Sequence, residues 1–115
     1  MATSNSSSGL THASRHIGVI ALTVRDDSMT APKGSPRSYP KGCHIIVDPA
    51  REASPGDRVV VNLGRRESVF GQLERDGGGQ QRLVKLNPAY EPVALPEGAK
   101  VLGVVVQTQI DEVDV

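Results

Sequence analysis

Short apolar runs, each stopped within a few residues by glycine or proline, constrain this chain more than any other feature. Ile17-Gly18-Val19-Ile20-Ala21-Leu22-Thr23-Val24, His44-Ile45-Ile46-Val47 and Arg58-Val59-Val60-Val61-Asn62-Leu63 are rich in β-branched side chains. Their brevity and branching favour pleated strands over helices. Between the first two, Thr30 to Gly42 carries Pro32, Gly34, Pro36, Pro40 and Gly42, which is loop chemistry. Asp48-Pro49 ends the second run, and Ser54-Pro55-Gly56-Asp57 forms a tight turn, its proline fixing φ. A further strand is predicted from Glu67 to Arg75, a hairpin tip at Asp76-Gly77-Gly78-Gly79 and a return strand from Gln80 to Leu86. Asn87-Pro88-Ala89-Tyr90-Glu91-Pro92 breaks the pattern, and a last strand runs from about Lys100 to Ile110. No stretch shows 3.6-residue periodicity and no segment repeats. The fold class is therefore all-β, a partly closed barrel or sandwich of short strands without significant helix.

The 115 residues suit one domain. Only 3% are aromatic, so the core must rest on Val, Ile and Leu. Thirteen basic side chains balance thirteen acidic ones, which gives no general attraction to nucleic acid or anionic membranes. The single cysteine, Cys43, cannot form an internal disulfide and fits a reducing, cytoplasmic setting. No apolar stretch approaches the ~20 residues of a membrane helix. Residues 1–14, serine-rich and poor in large apolar groups, read as a disordered leader or tag. Residues 15–110 form the domain and 111–115 an acidic tail.

Taken alone, Asp26-Asp27-Ser28-Met29 reads as a serine that starts a loop. The wider string changes that. Asp27-Ser28-Met29-Thr30-Ala31-Pro32, Tyr39-Pro40-Lys41-Gly42 and Ile45-Ile46-Val47-Asp48-Pro49 follow in order. After them come Pro55-Gly56-Asp57, Phe70-Gly71-Gln72-Leu73, Arg75-Asp76-Gly77-Gly78, Leu86-Asn87-Pro88-Ala89-Tyr90 and Val101-Leu102-Gly103-Val104-Val105. Over about residues 17–108 this series resembles the C-terminal domain of LexA, UmuD and lambda-type phage repressors.

The resemblance implies a mostly β dimerisation domain with latent self-cleavage by a Ser/Lys dyad, stimulated by RecA filaments during the SOS response. In such a dyad a desolvated, neutral lysine takes the serine proton while the hydroxyl attacks an Ala-Gly or Cys-Gly peptide carbonyl. Ser28 stands at the nucleophile position. The base position falls on Gly71, 43 residues later, where no side chain can accept a proton. Natural loss and deliberate removal of the base are equally consistent with that glycine. A strand glycine weakens a sheet by ~1 kcal/mol relative to alanine, and packing offers no evident reason for it.

If the hairpin turns symmetrically about Gly78, Gly71 faces Lys85 across the ladder, which would direct Lys85 toward Ser28. A one-residue slip sends it to the other face, and a solvated surface lysine is the simpler expectation. Ser28 also lies too near the start for an upstream cleavage site, and the chain contains no Ala-Gly or Cys-Gly. It thus resembles the C-terminal product or an isolated C-terminal domain, without the DNA-binding domain.

Other residues carry weaker signals. Cys43-His44 points to opposite faces of a strand and lacks the further ligands a metal needs, so no metal or cofactor site is expected. Lys33, Arg37 and Lys41, with Arg65-Arg66, form solvated basic loops rather than a direct nucleic-acid surface. The last strand is apolar on both faces through its first half. Val101, Val104, Val106 and Thr108 are therefore the candidate oligomer interface, for a homodimer or higher oligomer. The expected function is self-association of a phage or prophage LexA-like repressor, catalytically inactive because of Gly71. The alternatives are a Ser/Lys peptidase in an inactivated form and a UmuD′-like accessory subunit of a translesion polymerase.

Overall fold

The computed structural model describes residues 18–64 and 67–109, together with the backbone of 6–7 and 10–16. Nine strands occur in it: β1 (Ser6–Ser7), β2 (Leu10–His16), β3 (Val19–Val24), β4 (His44–Asp48), β5 (Arg58–Gly64), β6 (Glu67–Arg75), β7 (Gln81–Val84), β8 (Val93–Ala94) and β9 (Lys100–Gln109). They form one open sheet in the order β1-β2-β3-β4-β9-β5-β6-β7-β8, with every neighbouring pair antiparallel. The described residues contain no helix, as the sequence pattern requires. The barrel or sandwich takes the form of a single unclosed sheet, and β1, β2 and the two-residue β8 are additions to the expected strands. Of the leader segment, only the backbone of 6–7 and 10–14 is described, as strand, and the acidic tail lies outside the described residues.

The last strand is the organiser. β9 inserts between β4 and β5, so the chain's final run joins its two halves. Gly103 makes that insertion possible: a Cβ there would lie 2.5 Å from Val47 Cγ1 and 2.9 Å from the Asp48 carbonyl oxygen. The ladder shifts register between Ile46 and Val47 on β4 and between Val60 and Val61 on β5. Such bulges bend and twist a sheet locally.

Because side chains alternate, consecutive valines of β5 serve opposite faces. Val60 joins Val24, Met29, Tyr39, Cys43, Ile45, Val47, Phe70 and Val105 in one core. Val59 and Val61 join Leu73, Leu83 and Val104 in a second. All three β5 valines are fully buried, which marks this strand as the shared wall of the two cores. Burying each such side chain stabilises the fold by ~1.5–3 kcal/mol.

The Pro/Gly-rich loop before β4 is fastened to the first core. Tyr39 N donates to Met29 O at 2.8 Å and Gly42 N to Val24 O at 2.8 Å. The Tyr39 ring meets Phe70 edge to face, 5.1 Å between centroids. Cys43 is buried beside them, and burial pushes its thiol pKa up, in keeping with a small apolar filler. The adjacent His44 instead meets Thr23, with Nδ1 3.0 Å from Oγ1.

Candidate active site

Ser28 sits on the turn that leaves β3, closed by Thr30 N donating to Asp27 O at 3.1 Å. The next residue, Met29, is wholly buried in the first core, so the turn is pinned where Ser28 meets the sheet. Ser28 itself is only 3% exposed. Its hydroxyl donates to Asp26 Oδ1 at 2.8 Å, and its backbone N–H donates to the same oxygen at 3.0 Å. One carboxylate oxygen thus holds both donors of this serine.

The segment after β7 clamps the other side of this turn. Leu86 N lies 3.4 Å from Met29 Sδ, and Asn87 N donates to Ser28 O at 3.0 Å. Asn87 Nδ2 donates to Asp27 O at 3.0 Å, and the Tyr90 hydroxyl donates to Asp27 Oδ1 at 2.5 Å. That bond to a carboxylate raises the Tyr90 pKa. Asp26, Asn87 and Tyr90 received no role from the sequence reading. An Asp two residues before a Ser is the pattern of a side-chain-closed turn, and that was the available signal for Asp26.

Gly71 lies in β6 opposite Val59, buried, with its Cα side turned toward the second core. A Cβ there would stand 2.9 Å from Leu83 Cβ, 3.4 Å from Val84 O and 3.5 Å from Leu83 Cδ1. Packing therefore does supply the reason for this glycine, contrary to the sequence reading. Any side chain at this point would have to displace Leu83.

The hairpin register is the symmetric one. Gln72 pairs with Val84, Leu73 with Leu83, Glu74 with Arg82 and Arg75 with Gln81, and the ladder stops there, one step short of Gly71 and Lys85. β7 ends at Val84, and Lys85 folds back across the pair, its Nζ donating to Phe70 O at 2.7 Å. It is half-buried, not a solvated surface lysine. Desolvation lowers its pKa from the ordinary value, and the nearby Asp26 carboxylate acts in the opposite direction. Lys85 and the Ser28 hydroxyl thus share Asp26 as an electrostatic neighbour.

The candidate interface residues separate. Val101 and Val106 are exposed and Thr108 is half-buried, whereas Val104 is locked in the second core. Leu102, exposed at 39%, belongs with the apolar surface instead. The bulges in the β9 ladders are the reason, since they break the simple alternation on which the choice of Val104 rested. Val101 borders a shallow cleft with Val61, Leu95 and Ala99. Lys33, Arg37 and Lys41 are exposed, and Arg65-Arg66 lie outside the described residues. Among the described residues no group of three His, Cys, Asp or Glu side chains is placed to hold a metal, and no helix is long and apolar enough to cross a membrane.

Comparison with known proteins gives consistent relatives. The family model described as Peptidase S24-like matches residues 5–106. The HTH-type transcriptional regulator for conjugative element R391 of Providencia rettgeri is 41% identical over 97 residues, covering 84% of this chain and 44% of that protein. The corresponding regulator for element SXT of Vibrio cholerae matches to the same extent. Repressor protein C2 of Salmonella phage P22 is 41% identical over 90 residues, covering 77% of this chain and 40% of that protein. The chain spans less than half the length of these curated relatives.

Proposed function

The chain belongs to the peptidase S24-like family, and we propose that it is the self-association domain of a LexA-like transcriptional repressor. Its relatives are repressors and HTH-type regulators that carry such a domain, which supports the transcriptional part of this reading. The observation that carries the association part is the exposure of three large apolar side chains on β9, Val101, Leu102 and Val106. Large aliphatic groups gathered on one organising strand gain about 25 cal/mol per Å² when a second surface covers them.

Pairing of such domains joins two weak DNA contacts into one event through effective concentration, so the energy of association becomes operator affinity. The partners in this reading are a second copy of the chain and, by family, a RecA filament. Self-cleavage by the family's usual dyad is not part of it, because Gly71 offers no base and a side chain there would displace Leu83. Val101→Lys combined with Val106→Lys tests the interface by size-exclusion chromatography at micromolar concentration. The account expects the unsubstituted chain to elute as a concentration-dependent dimer and the double variant as a monomer. Identical elution of both proteins as dimers would place the contact elsewhere.

A further inference from the structure

A nucleophile position this carefully held invites the question of where its proton could go. Three features converge on one residue. Lys85 follows Val84, the last paired residue of β7, and its Nζ rests on the carbonyl of Phe70, the residue just before the vacant position. The two residues after Lys85 are bonded to Met29 Sδ and to Ser28 O, so the lysine enters the site on the strand end that grips the serine. Asp26, which accepts the Ser28 hydroxyl, also lies within electrostatic reach of Lys85.

We propose that Lys85 supplies the general base for Ser28, delivered from the segment after β7 instead of from β6. With no side chain at position 71, Lys85 folds across the bare β6 backbone to reach the Phe70 carbonyl. The bond to Phe70 O uses one N–H and persists in a neutral amine, which leaves the nitrogen lone pair for the serine proton. Partial burial favours that neutral form. The facing groups are Asp26, which favours the ammonium, and the neutral Phe70 carbonyl. Asp27 and Tyr90, on the adjoining loops, are engaged with each other.

The reaction class is acyl transfer from an extended peptide. Ser28 Oγ bonds to the peptide carbonyl carbon as its proton passes to Lys85 Nζ. The lysine returns that proton to the leaving amine as the C–N bond breaks. Water then hydrolyses the ester, giving up its proton to Lys85, and the Ser28 hydroxyl is restored by the proton the lysine holds. At rest the Asp26 carboxylate restrains both the hydroxyl and the Ser28 N–H, so the site is poised and latched.

The test is labelling of the full chain by a fluorophosphonate, located by peptide mass spectrometry and followed as a rate against pH. Here Ser28 Oγ bonds to phosphorus, fluoride leaves, and Lys85 again takes the proton. The expected rate climbs about tenfold per pH unit and levels off below pH 10.5, the ordinary lysine value. Lys85→Met and Lys85→Arg should each lose about 100-fold or more in rate, and Ser28→Ala should not label. Thermal melts identify any variant that fails to fold, and the arginine, which keeps the charge without the base, separates catalysis from packing. Equal labelling of wild type and either folded lysine variant would overturn the proposal, as would no modification of Ser28 in the wild type. Because labelling does not depend on oligomeric state, its failure leaves the self-association reading standing, and the converse also holds.

Discussion

The two faces of the sheet are closed in different ways. The first core is covered by a long loop that brings Met29 and Tyr39 down onto Val60 and Phe70, and Ser28 rides on the rim of that cover. The second core is covered by short segments contributing Ala53, Val93, Leu95 and Ala99, and beside it Val101 borders an open cleft. A long, pinned loop can hold a buried polar group in fixed geometry, whereas short covers leave apolar surface for another molecule. The serine turn and the exposed apolar residues of β9 thus lie against different cores that share one wall, β5.

Truncating each core offers the strongest way to break that separation. Met29→Ala and Leu83→Ala should each cost about 2–5 kcal/mol, read as a large fall in Tm. Only Met29→Ala should also displace Ser28 and depress its labelling in the protein that remains folded, because Met29 anchors the turn. If Leu83→Ala depressed labelling equally, the two faces would not be independent.

Restoring the family's base sharpens the contrast. Gly71→Lys should destabilise by about 1–3 kcal/mol in chemical denaturation, because its Cβ meets Leu83 at 2.9 Å in a filled core. A variant as stable as the parent would show that β6 and β7 separate more easily than the packing implies.

Asp26→Ala removes the acceptor of both Ser28 donors at an exposed position, so its cost should be about 1 kcal/mol. Freed from the latch, and with one opposing charge on Lys85 gone, Ser28 should label several-fold faster near neutral pH. A slower rate would identify Asp26 as an aid to reactivity.

The smallest effect concerns pH. The folded-state pKa of Lys85 is lowered, so near and above that value the unfolded chain binds more protons than the folded one. The penalty for burying its ammonium is present at neutral pH and is relieved as pH rises through the folded pKa toward 10.5. Tm of the parent relative to Lys85→Met should therefore climb over that alkaline window. A parallel pair of Tm curves would contradict the desolvation of Lys85.

Much of this architecture was legible in the residues. β-branched runs located β3, β4, β5 and β9, the glycine tip at 77–79 located β6 and β7, and the symmetry about Gly78 gave the hairpin register. β8 escaped because two residues, Val93–Ala94, carry no alternation to read. Val104 was misplaced because a bulge cancels the parity on which face assignment rests, and a bulge leaves no mark in composition. Gly71 looked unexplained because its reason, Leu83, lies across the hairpin and not beside it in sequence. At the site, the burial of Ser28 on its turn and the inward fold of Lys85 onto Phe70 O came only with the structure. The Asp26 latch and the Asn87 clamp depend on loop paths that local sequence does not fix.

Sedimentation equilibrium of the unsubstituted chain across the micromolar range tests the central claim most directly. The account predicts a reversible monomer–dimer distribution that shifts with concentration. A single monomeric species at the highest concentration would contradict it and would leave the exposed residues of β9 without the role assigned to them.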